Sequence, residues 1–385
     1  VNKLFVVSFI FVVCLLIVAV AVAVWLVRSY GMVASRDDEK GAATVPKEKS
    51  DCSGGSCEGQ EGKFVVLDDG FCLELEDLLR ASAFVVGKSK GGIVYKVVAG
   101  GGKGAPSTVV AVRRLNDGEA TWNLKEFENE VESISRVQHP NIVRLKGYYY
   151  APDEKLLISD YVHSGSLWTA LHGDVPGGES PLAWAVRLKI AQGVAKGLAY
   201  IHDYGTRKHV HGELKSTKIL LDDSLQPLIS GFGVSRLLAD RSKAISVETG
   251  SHYSNQLVKL SAIVPPPGEG YLAPEIRTPG AKQTQKSDVY AFGVLLMEII
   301  SGMKPDAGTE NGGKRLEEIV RKVFREEGPL SEIIDPALLK EVRAKKQVTA
   351  VYHIALSCTE ADPEVRPRMR VVSDSLERIK EEDEL

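Results

Sequence analysis

Cysteine is scarce in this 385-residue chain, and its five cysteines follow no regular pattern. Only Cys52 and Cys57 lie close together, so the spacing gives neither a disulfide framework nor the second pair that a tetrahedral zinc site needs. A net charge is also lacking, because 48 basic and 51 acidic residues leave a formal charge of −3. This balance gives no indication of a nucleic-acid partner. We therefore expect free thiols in a reducing compartment and no binding of DNA or RNA.

Charged residues are also missing from one long run near the start, residues 4–27 (LFVVSFIFVVCLLIVAVAVAVWLV). Its roughly 24 residues would form about 36 Å of helix, enough to cross a bilayer with some tilt. A signal peptide would have a shorter apolar region, and a core helix is rarely apolar on every side. More basic residues follow the run than precede it, which places the later part of the chain in the cytosol. The sequence predicts a single-pass membrane protein.

Residues 28–74 are rich in Gly, Ser, Lys, Asp and Glu and show little periodicity, as in SRDDEKGAATVPKEKSDCSGGSCEGQEGK. A segment of this composition buries too little apolar surface to fold, so we predict a flexible juxtamembrane linker. Because the chain begins with Val1 rather than Met, we also expect it to be part of a longer protein whose extracytoplasmic portion precedes it.

From residue 75 to residue 379 the pattern is first β-rich and then helical. The runs AFVVGKSKGGIVYKVV, TVVAVRRL, NIVRLKGYYY and KLLISDYV predict strands, and after Gly165 the apolar spacing is mainly that of helices. An apolar stripe between the second and third of these runs predicts one early helix: Leu124, Phe127, Val131, Ile134 and Val137. The sequence therefore predicts an α+β domain with a small sheet lobe at about 75–162 and a helical lobe at about 163–379.

Several short motifs follow one another in this domain: a glycine-rich turn from Gly87, FENEV, HPN, GSL, HVHGELKSTKILLDD, GFG, APE, SDVYAFGV and DPEVRPRM. Their order and spacing resemble the cytoplasmic domain of plant leucine-rich-repeat receptor-like protein kinases. The resemblance implies a bilobal protein-kinase fold, with an antiparallel-sheet N-lobe and a helical C-lobe, preceded by one transmembrane helix. It also implies an extracellular repeat domain outside this chain and a location in the plasma membrane.

The resemblance makes ATP a candidate ligand and assigns the residues that would hold it. Gly87, Ser89 and Gly92 occupy the phosphate-covering glycine motif, and Asp160 and Val162 belong to the hinge that faces an adenine. Ser89 replaces the middle glycine of that motif, so this stretch alone is equally consistent with an ordinary hairpin.

Arginine replaces the phosphate-binding lysine of the family at Arg113. Its planar guanidinium is bulkier than an ammonium and points differently, so we expect an ion pair with Glu130, the family's acidic partner, more than a phosphate clamp.

The catalytic loop departs from the family pattern at several positions. Glu213 replaces the catalytic aspartate, Lys215 is retained, and Lys218 replaces the metal-binding asparagine. Glutamate also accepts protons, but its extra methylene moves the carboxylate by more than about 1 Å, which slows catalysis without abolishing it. Gly231 replaces the aspartate that holds magnesium in the family, and it offers no side-chain oxygen to a hard cation.

Two substitutions, at Lys218 and Gly231, each make the metal pocket more positive by one charge. An ammonium about 4 Å from a divalent cation repels it by about 8 kcal/mol at an effective dielectric constant near 20. The sequence therefore predicts no metal ligands and does not favour magnesium.

Two functions remain open. The first is a membrane-anchored pseudokinase that signals by docking and conformational change, with a co-receptor or active kinase and cytoplasmic signalling proteins as partners. The second is a weak serine/threonine kinase in which Arg113 holds the phosphates, Glu213 positions the acceptor hydroxyl and Lys218 partly replaces the metal. Nucleotide binding without turnover, independent of metal, lies between them. The framework is retained in either case, including the Glu275–Arg366 ion pair, Asp288, Trp184, His211 and Phe232.

Overall fold

The structure is a computed structural model that describes residues 62–379, apart from gaps at 69–70, 72, 90, 101–106, 117–121, 174–181, 239–267, 279–280, 307–312 and 340–343. These residues belong to the second of two compact units, Gln60–Leu385. The span predicted at 4–27 and most of the linker predicted at 28–74 lie outside them. Within the described ranges, no helix is both long and apolar enough to cross a bilayer.

The first lobe is built on one antiparallel sheet with the strand order β1-β5-β6-β4-β3-β2. Its strands are β1 (Lys63–Val66), β2 (Ser82–Ser89), β3 (Gly92–Ala99), β4 (Thr108–Arg114), β5 (Leu145–Tyr150) and β6 (Lys155–Asp160). Two helices belong to this lobe, α1 (Leu75–Arg80) and α2 (Leu124–Ser135). The strands predicted from alternation and the early helix are confirmed.

The second lobe is mainly helical. Its helices are α3 (Leu167–His172), α4 (Trp184–Asp203), α5 (Val234–Leu237), α6 (Gln285–Ser301), α7 (Leu316–Arg325), α8 (Pro336–Leu339), α9 (Ala344–Cys358) and α10 (Met369–Glu377). A two-stranded ribbon, β7 (Ile219–Leu221) paired with β8 (Pro227–Ile229), follows the catalytic-loop segment. The predicted α+β division into a sheet lobe and a helical lobe is confirmed.

Local sequence explains where the important helices begin and end. Asn123 caps α2, because its side-chain oxygen accepts a hydrogen bond of 2.9 Å from the backbone N–H of Glu126. Thr284 and Ser287 form a capping box at the start of α6, and Gly302 ends that helix in the left-handed conformation. Between these caps nearly every residue of α6 is buried, so this helix forms the centre of the larger core.

The folded unit begins earlier than the sequence predicts. Strand β1 lies inside the segment 28–74, for which we predict a flexible linker, and it pairs with β5 from Lys63↔Tyr150 to Val66↔Gly147. The physical reason is that KFVV becomes a strand through its backbone hydrogen bonds to β5. A run of four residues, of which three are apolar, does not predict a strand by itself. The structure therefore corrects the end of the linker.

Candidate functional site

The catalytic-loop segment 209–218 is held in place by a buried carboxylate of the helical lobe. Asp288, in α6, accepts hydrogen bonds from the backbone N–H groups of His211 at 2.7 Å and Gly212 at 2.8 Å. Both Asp288 and His211 are buried, so these bonds form out of contact with solvent. The framework role expected for these two residues matches the geometry, and the loop is positioned by the protein itself.

Glu213 lies between two lysines. Its carboxylate is 2.8 Å from the ammonium of Lys215 and 3.2 Å from that of Lys218. The side chain of Lys218 is only 8 % exposed, whereas that of Glu213 is 37 % exposed. The structure thus brings together the base position and the former metal position, and it joins them by an ion pair. A carboxylate held in this way is a poorer acceptor for a substrate proton.

Gly231 lies next to this cluster and contributes no side chain to it. Its φ is +82°, and a Cβ atom added there would lie 3.6 Å from the ammonium nitrogen of Lys218. The backbone carbonyl of Lys218 accepts hydrogen bonds from the N–H and the hydroxyl of Ser230, so the two segments are joined next to this point. The position from which a metal-holding carboxylate would extend is therefore next to the ammonium group of Lys218.

The charges in the cluster perturb one another. Burial lowers the pKa of Lys218, and repulsion from the Arg113 guanidinium lowers it further, while Glu213 opposes both effects. Burial lowers the pKa of Arg113 too, again opposed by Glu213. For Glu213, burial alone would raise the pKa, but Lys218 and Lys215 outweigh it and lower the pKa to about 2. Two lysines therefore pair with one carboxylate, and the Arg113 guanidinium is influenced by the same carboxylate.

The expected ion pair between Arg113 and Glu130 is wrong. Arg113 Nη1 is buried without a hydrogen-bond partner. Glu130 instead accepts a hydrogen bond of 3.1 Å from Arg207 and lies 3.1 Å from Arg236 Nη1, although that second contact lacks hydrogen-bond alignment. The reason is that α5 brings Arg236 against α2, so the carboxylate is already occupied. Neither arginine carries a local sequence signal, since each meets Glu130 only through the tertiary fold.

The glycine-rich turn is a hairpin between β2 and β3 that closes at the pair Ser89↔Gly92. Gly92 has a φ of +113°, and a Cβ there would lie 1.9 Å from the carbonyl oxygen of Arg114. Gly87 follows a bulge in β2, and a Cβ there would meet nothing within 4 Å. The stretch is therefore a hairpin, as both interpretations of it require, and Gly92 is required for packing in the protein itself.

The segment that follows GFG packs under this turn. A Cβ on Gly91 would lie 3.2 Å from side-chain atoms of Val234 and of Leu238. On the other side, the indole N–H of Trp122 donates a hydrogen bond of 2.8 Å to the carbonyl of Leu237. Residues 234–238 are thus held between the glycine-rich turn and the start of α2.

The hinge residues lie at the end of β6 and just after it. The carboxylate of Asp160 forms an ion pair of 3.0 Å with Lys146, and the Asp160 backbone N–H donates to the carbonyl of Arg144 at 3.3 Å. Val162 is half-buried. Both residues therefore lie where the chain leaves β6, and their contact with an adenine stays a prediction.

The retained framework residues form the contacts expected of them. Arg366 is buried and makes a bidentate pair with Glu275, with distances of 2.6 and 2.8 Å. Trp184 and Phe232 are buried in the larger core. The residues that keep the fold are therefore intact, while the metal-binding positions, Lys218 and Gly231, are altered.

Similar proteins are known for most of this chain. Residues 82–376 match the family described as protein tyrosine and serine/threonine kinase. A probable leucine-rich repeat receptor-like protein kinase of Arabidopsis thaliana is 40% identical over 326 residues, which are 84% of this chain and 44% of that protein. A probable inactive leucine-rich repeat receptor-like protein kinase of the same plant is 37% identical over 318 residues, covering 82% and 44%. The chain spans less than half the length of these relatives.

Among solved structures, the pseudokinase domain of BIR2, described as an immune regulator of the RLK/Pelle family, matches with a TM-score of 0.64. The match covers 84% of this chain and 91% of that one at 23% identity. At this identity the similarity shows the fold alone, and it confirms the bilobal arrangement of an antiparallel-sheet lobe and a helical lobe.

Proposed function

We propose, from the premise that this chain belongs to the protein tyrosine and serine/threonine kinase family, that its receptor-like kinase domain is a pseudokinase. In this proposal the domain signals by docking and conformational change and does not transfer phosphate. Relatives described as probable inactive receptor kinases support this function over that of a weak kinase. So does the intact framework around an altered site.

The observation that carries the proposal is the position of Lys218. Its ammonium is bound to Glu213 and lies 3.6 Å from where a side chain on Gly231 would begin. A magnesium ion needs several oxygen ligands in near-octahedral geometry, and here one ligand position is a glycine and the other a cation. The residues present do not fit magnesium, so phosphoryl transfer lacks its usual charge neutralisation.

The same residues do fit the phosphates of a nucleotide. Arg113 has a buried guanidinium nitrogen without a partner, and Lys215 and Lys218 supply two further cations around a single carboxylate. ATP bound here would be neutralised by side chains and would need no metal. We therefore infer ATP as a ligand that binds without magnesium and is not turned over.

We also propose how the domain is anchored and which partners it has. The uncharged run at 4–27 supports a single-pass anchor in the plasma membrane with the kinase-like domain in the cytoplasm, as the receptor-like names of the relatives suggest. A domain without phosphoryl transfer needs a partner that supplies it, so we propose a co-receptor or active kinase as partner, together with cytoplasmic signalling proteins.

A direct test is incorporation of labelled phosphate from ATP into an acceptor protein, using the full chain with magnesium present. We expect no incorporation above that of a Glu213→Ala variant. Incorporation by the unaltered chain that this substitution abolishes would contradict the proposal, because it would show Glu213 acting as a base.

A further inference from the structure

A cleft of about 450 Å³ separates the C-terminal half of α2 from the segment that joins α4 to the catalytic loop. One wall is formed by α2 and includes Glu132, Ser133 and Arg136. The opposite wall includes Thr206, Arg207 and His209. None of the cationic residues at the former metal position lines it, so the cleft is distinct from the site described above.

One wall contains an unsatisfied polar group. His209 is 3 % exposed, and its Nδ1 has no hydrogen-bond partner. Burial lowers the pKa of His209, and Arg236 and Arg207 lower it further, which favours a neutral ring that can donate one N–H. Because the protein encloses this Nδ1, a ligand in the cleft reaches it only when the wall that carries His209 moves, and the cost of leaving a buried polar group unpartnered favours that movement.

The cleft is also positively charged. Arg136 and Arg207 stand on its two walls, and only Glu132 among the lining residues is acidic. Glu132 binds Arg136 at 2.6 Å on a surface where both side chains are more than half exposed. Arg207, 59 % exposed, uses Nη1 to bind Glu130, which leaves the rest of its guanidinium fork for a second acceptor.

We propose that this cleft binds an oxyanion of the phosphate class, either free phosphate or a phosphate monoester. Arg136 and Arg207 supply charge from the two sides, and Ser133 and Thr206 supply hydroxyl donors. His209 adds an N–H when its wall moves toward the ligand. Planar guanidinium groups match phosphate geometry with two N–H bonds each, which explains the choice of arginine on both walls. The proposal does not depend on the domain being inactive in phosphoryl transfer.

Binding at this cleft acts on the rest of the domain through Arg207. The same guanidinium holds Glu130 on α2, and Glu130 is also next to Arg236 of α5. An oxyanion that draws Arg207 toward the cleft leaves Glu130 to Arg236 and removes the repulsion between the two arginines, so the link between α2 and α5 becomes stronger. The expected consequence is tighter packing both of the cleft walls and of residues 231–238.

The test is hydrogen–deuterium exchange of the full chain, titrated with inorganic phosphate and, in a second arm, with a short phosphoserine peptide. Peptides from 129–136 and 203–209 should be protected, and those from 231–238 should also exchange more slowly. Phosphate bound at Lys218 and Arg113 would protect 211–218 instead, so the two sites are read separately. Tighter binding of the peptide identifies a protein-borne ester, and equal binding identifies free phosphate.

Substitutions at the two members of the exposed Glu132–Arg136 pair should change the affinity for phosphate in opposite directions. Arg136→Gln removes a charge-assisted contact and should weaken binding about 10-fold or more, whereas Glu132→Gln frees Arg136 and should tighten it. Glu76→Gln is the matched control, because Glu76 forms an exposed pair with Arg80 at the same helical spacing on α1. Absence of protection at 129–136 and 203–209 with both probes would overturn the proposal, as would equal effects of the Glu132 and Glu76 substitutions.

Discussion

Restoring the family residues at two positions should convert this site into one that binds a nucleotide with magnesium. In the Gly231→Asp variant the new side chain begins 3.6 Å from the Lys218 ammonium, so its carboxylate pairs with that lysine and is not free for a metal. In the Lys218→Asn variant the ammonium is gone, but position 231 still offers no oxygen. Only the double variant Lys218→Asn with Gly231→Asp supplies both ligands.

The size of the expected change in magnesium affinity follows from Coulomb's law. At about 4 Å and an effective dielectric constant near 20, the ammonium of Lys218 opposes a divalent cation by about 8 kcal/mol. If solvent and side-chain movement reduce this to a third, about 2.7 kcal/mol remains, which is about 100-fold in affinity. The left-handed backbone at Gly231 adds about 1 kcal/mol of strain for an aspartate, which lowers stability but leaves metal affinity largely unchanged.

The assay is a calorimetric titration of each full-length variant with a non-hydrolysable ATP analogue, once with magnesium and once with EDTA. The double variant should bind at least about 100-fold more tightly with magnesium, and each single variant should show little dependence on metal. Such coupling is expected because the two positions share one ligand site. Equal affinity of the double variant in both buffers would refute the electrostatic reasoning, as would a full magnesium effect in Gly231→Asp alone.

Three further predictions concern stability. Arg366→Ala leaves the Glu275 carboxylate without its bidentate partner and should lower the free energy of unfolding by about 3 to 5 kcal/mol, measured by urea denaturation. Gly92→Ala places a Cβ against a carbonyl oxygen and should cost more than about 2 kcal/mol, whereas Gly87→Ala should cost less than about 1 kcal/mol. Glu213→Gln should cost about 1 kcal/mol at pH 7, a reduced figure because that carboxylate is more than a third exposed.

The Glu213 prediction has a defined pH dependence. Its pKa is about 2 in the folded protein, below the ordinary value of 4.5, so the unfolded state binds a proton first as the pH falls. Its contribution to stability is therefore complete above about pH 4.5 and is lost between there and about pH 2. The difference between the unaltered chain and Glu213→Gln should shrink over that interval, and a constant difference would contradict the ion pair with Lys218.

The other two predictions have matched controls. Arg80→Ala removes an arginine from an exposed pair and should cost less than about 0.5 kcal/mol, because such pairs are screened by water. A loss for Arg366→Ala no larger than this would contradict its role in the buried pair. Likewise, equal stability of the Gly92 and Gly87 variants would contradict the close approach at the hairpin.

Local pattern was sufficient to predict the elements that depend on it. Alternation in TVVAVRR predicted β4, and the helical stripe from Leu124 to Ile134 predicted α2. The motif positions also placed Lys218 and Gly231 in one cluster, because the resemblance supplies long-range proximity that residue periodicity does not. The altered chemistry of the site could therefore be predicted before its geometry was known.

Features that depend on tertiary contacts could not be predicted. The partner of Glu130 is Arg207, which is 77 residues away in the chain, and no local pattern relates the two. Strand β1 was missed for a similar reason, since four residues become a strand only through pairing with β5. Retained motifs therefore locate Glu130 in the fold but do not predict its ion pair. A four-residue strand is likewise not predicted without knowledge of the strand that pairs with it.

The central claim is that the unaltered site offers no place for a divalent cation beside a nucleotide. Thermal unfolding of the full chain in ATP, compared between magnesium and EDTA, tests it most directly, because a ligand that binds the folded state raises the midpoint. The account predicts that magnesium adds nothing to the midpoint measured with ATP in EDTA. A midpoint that rises with ATP only when magnesium is present would contradict it.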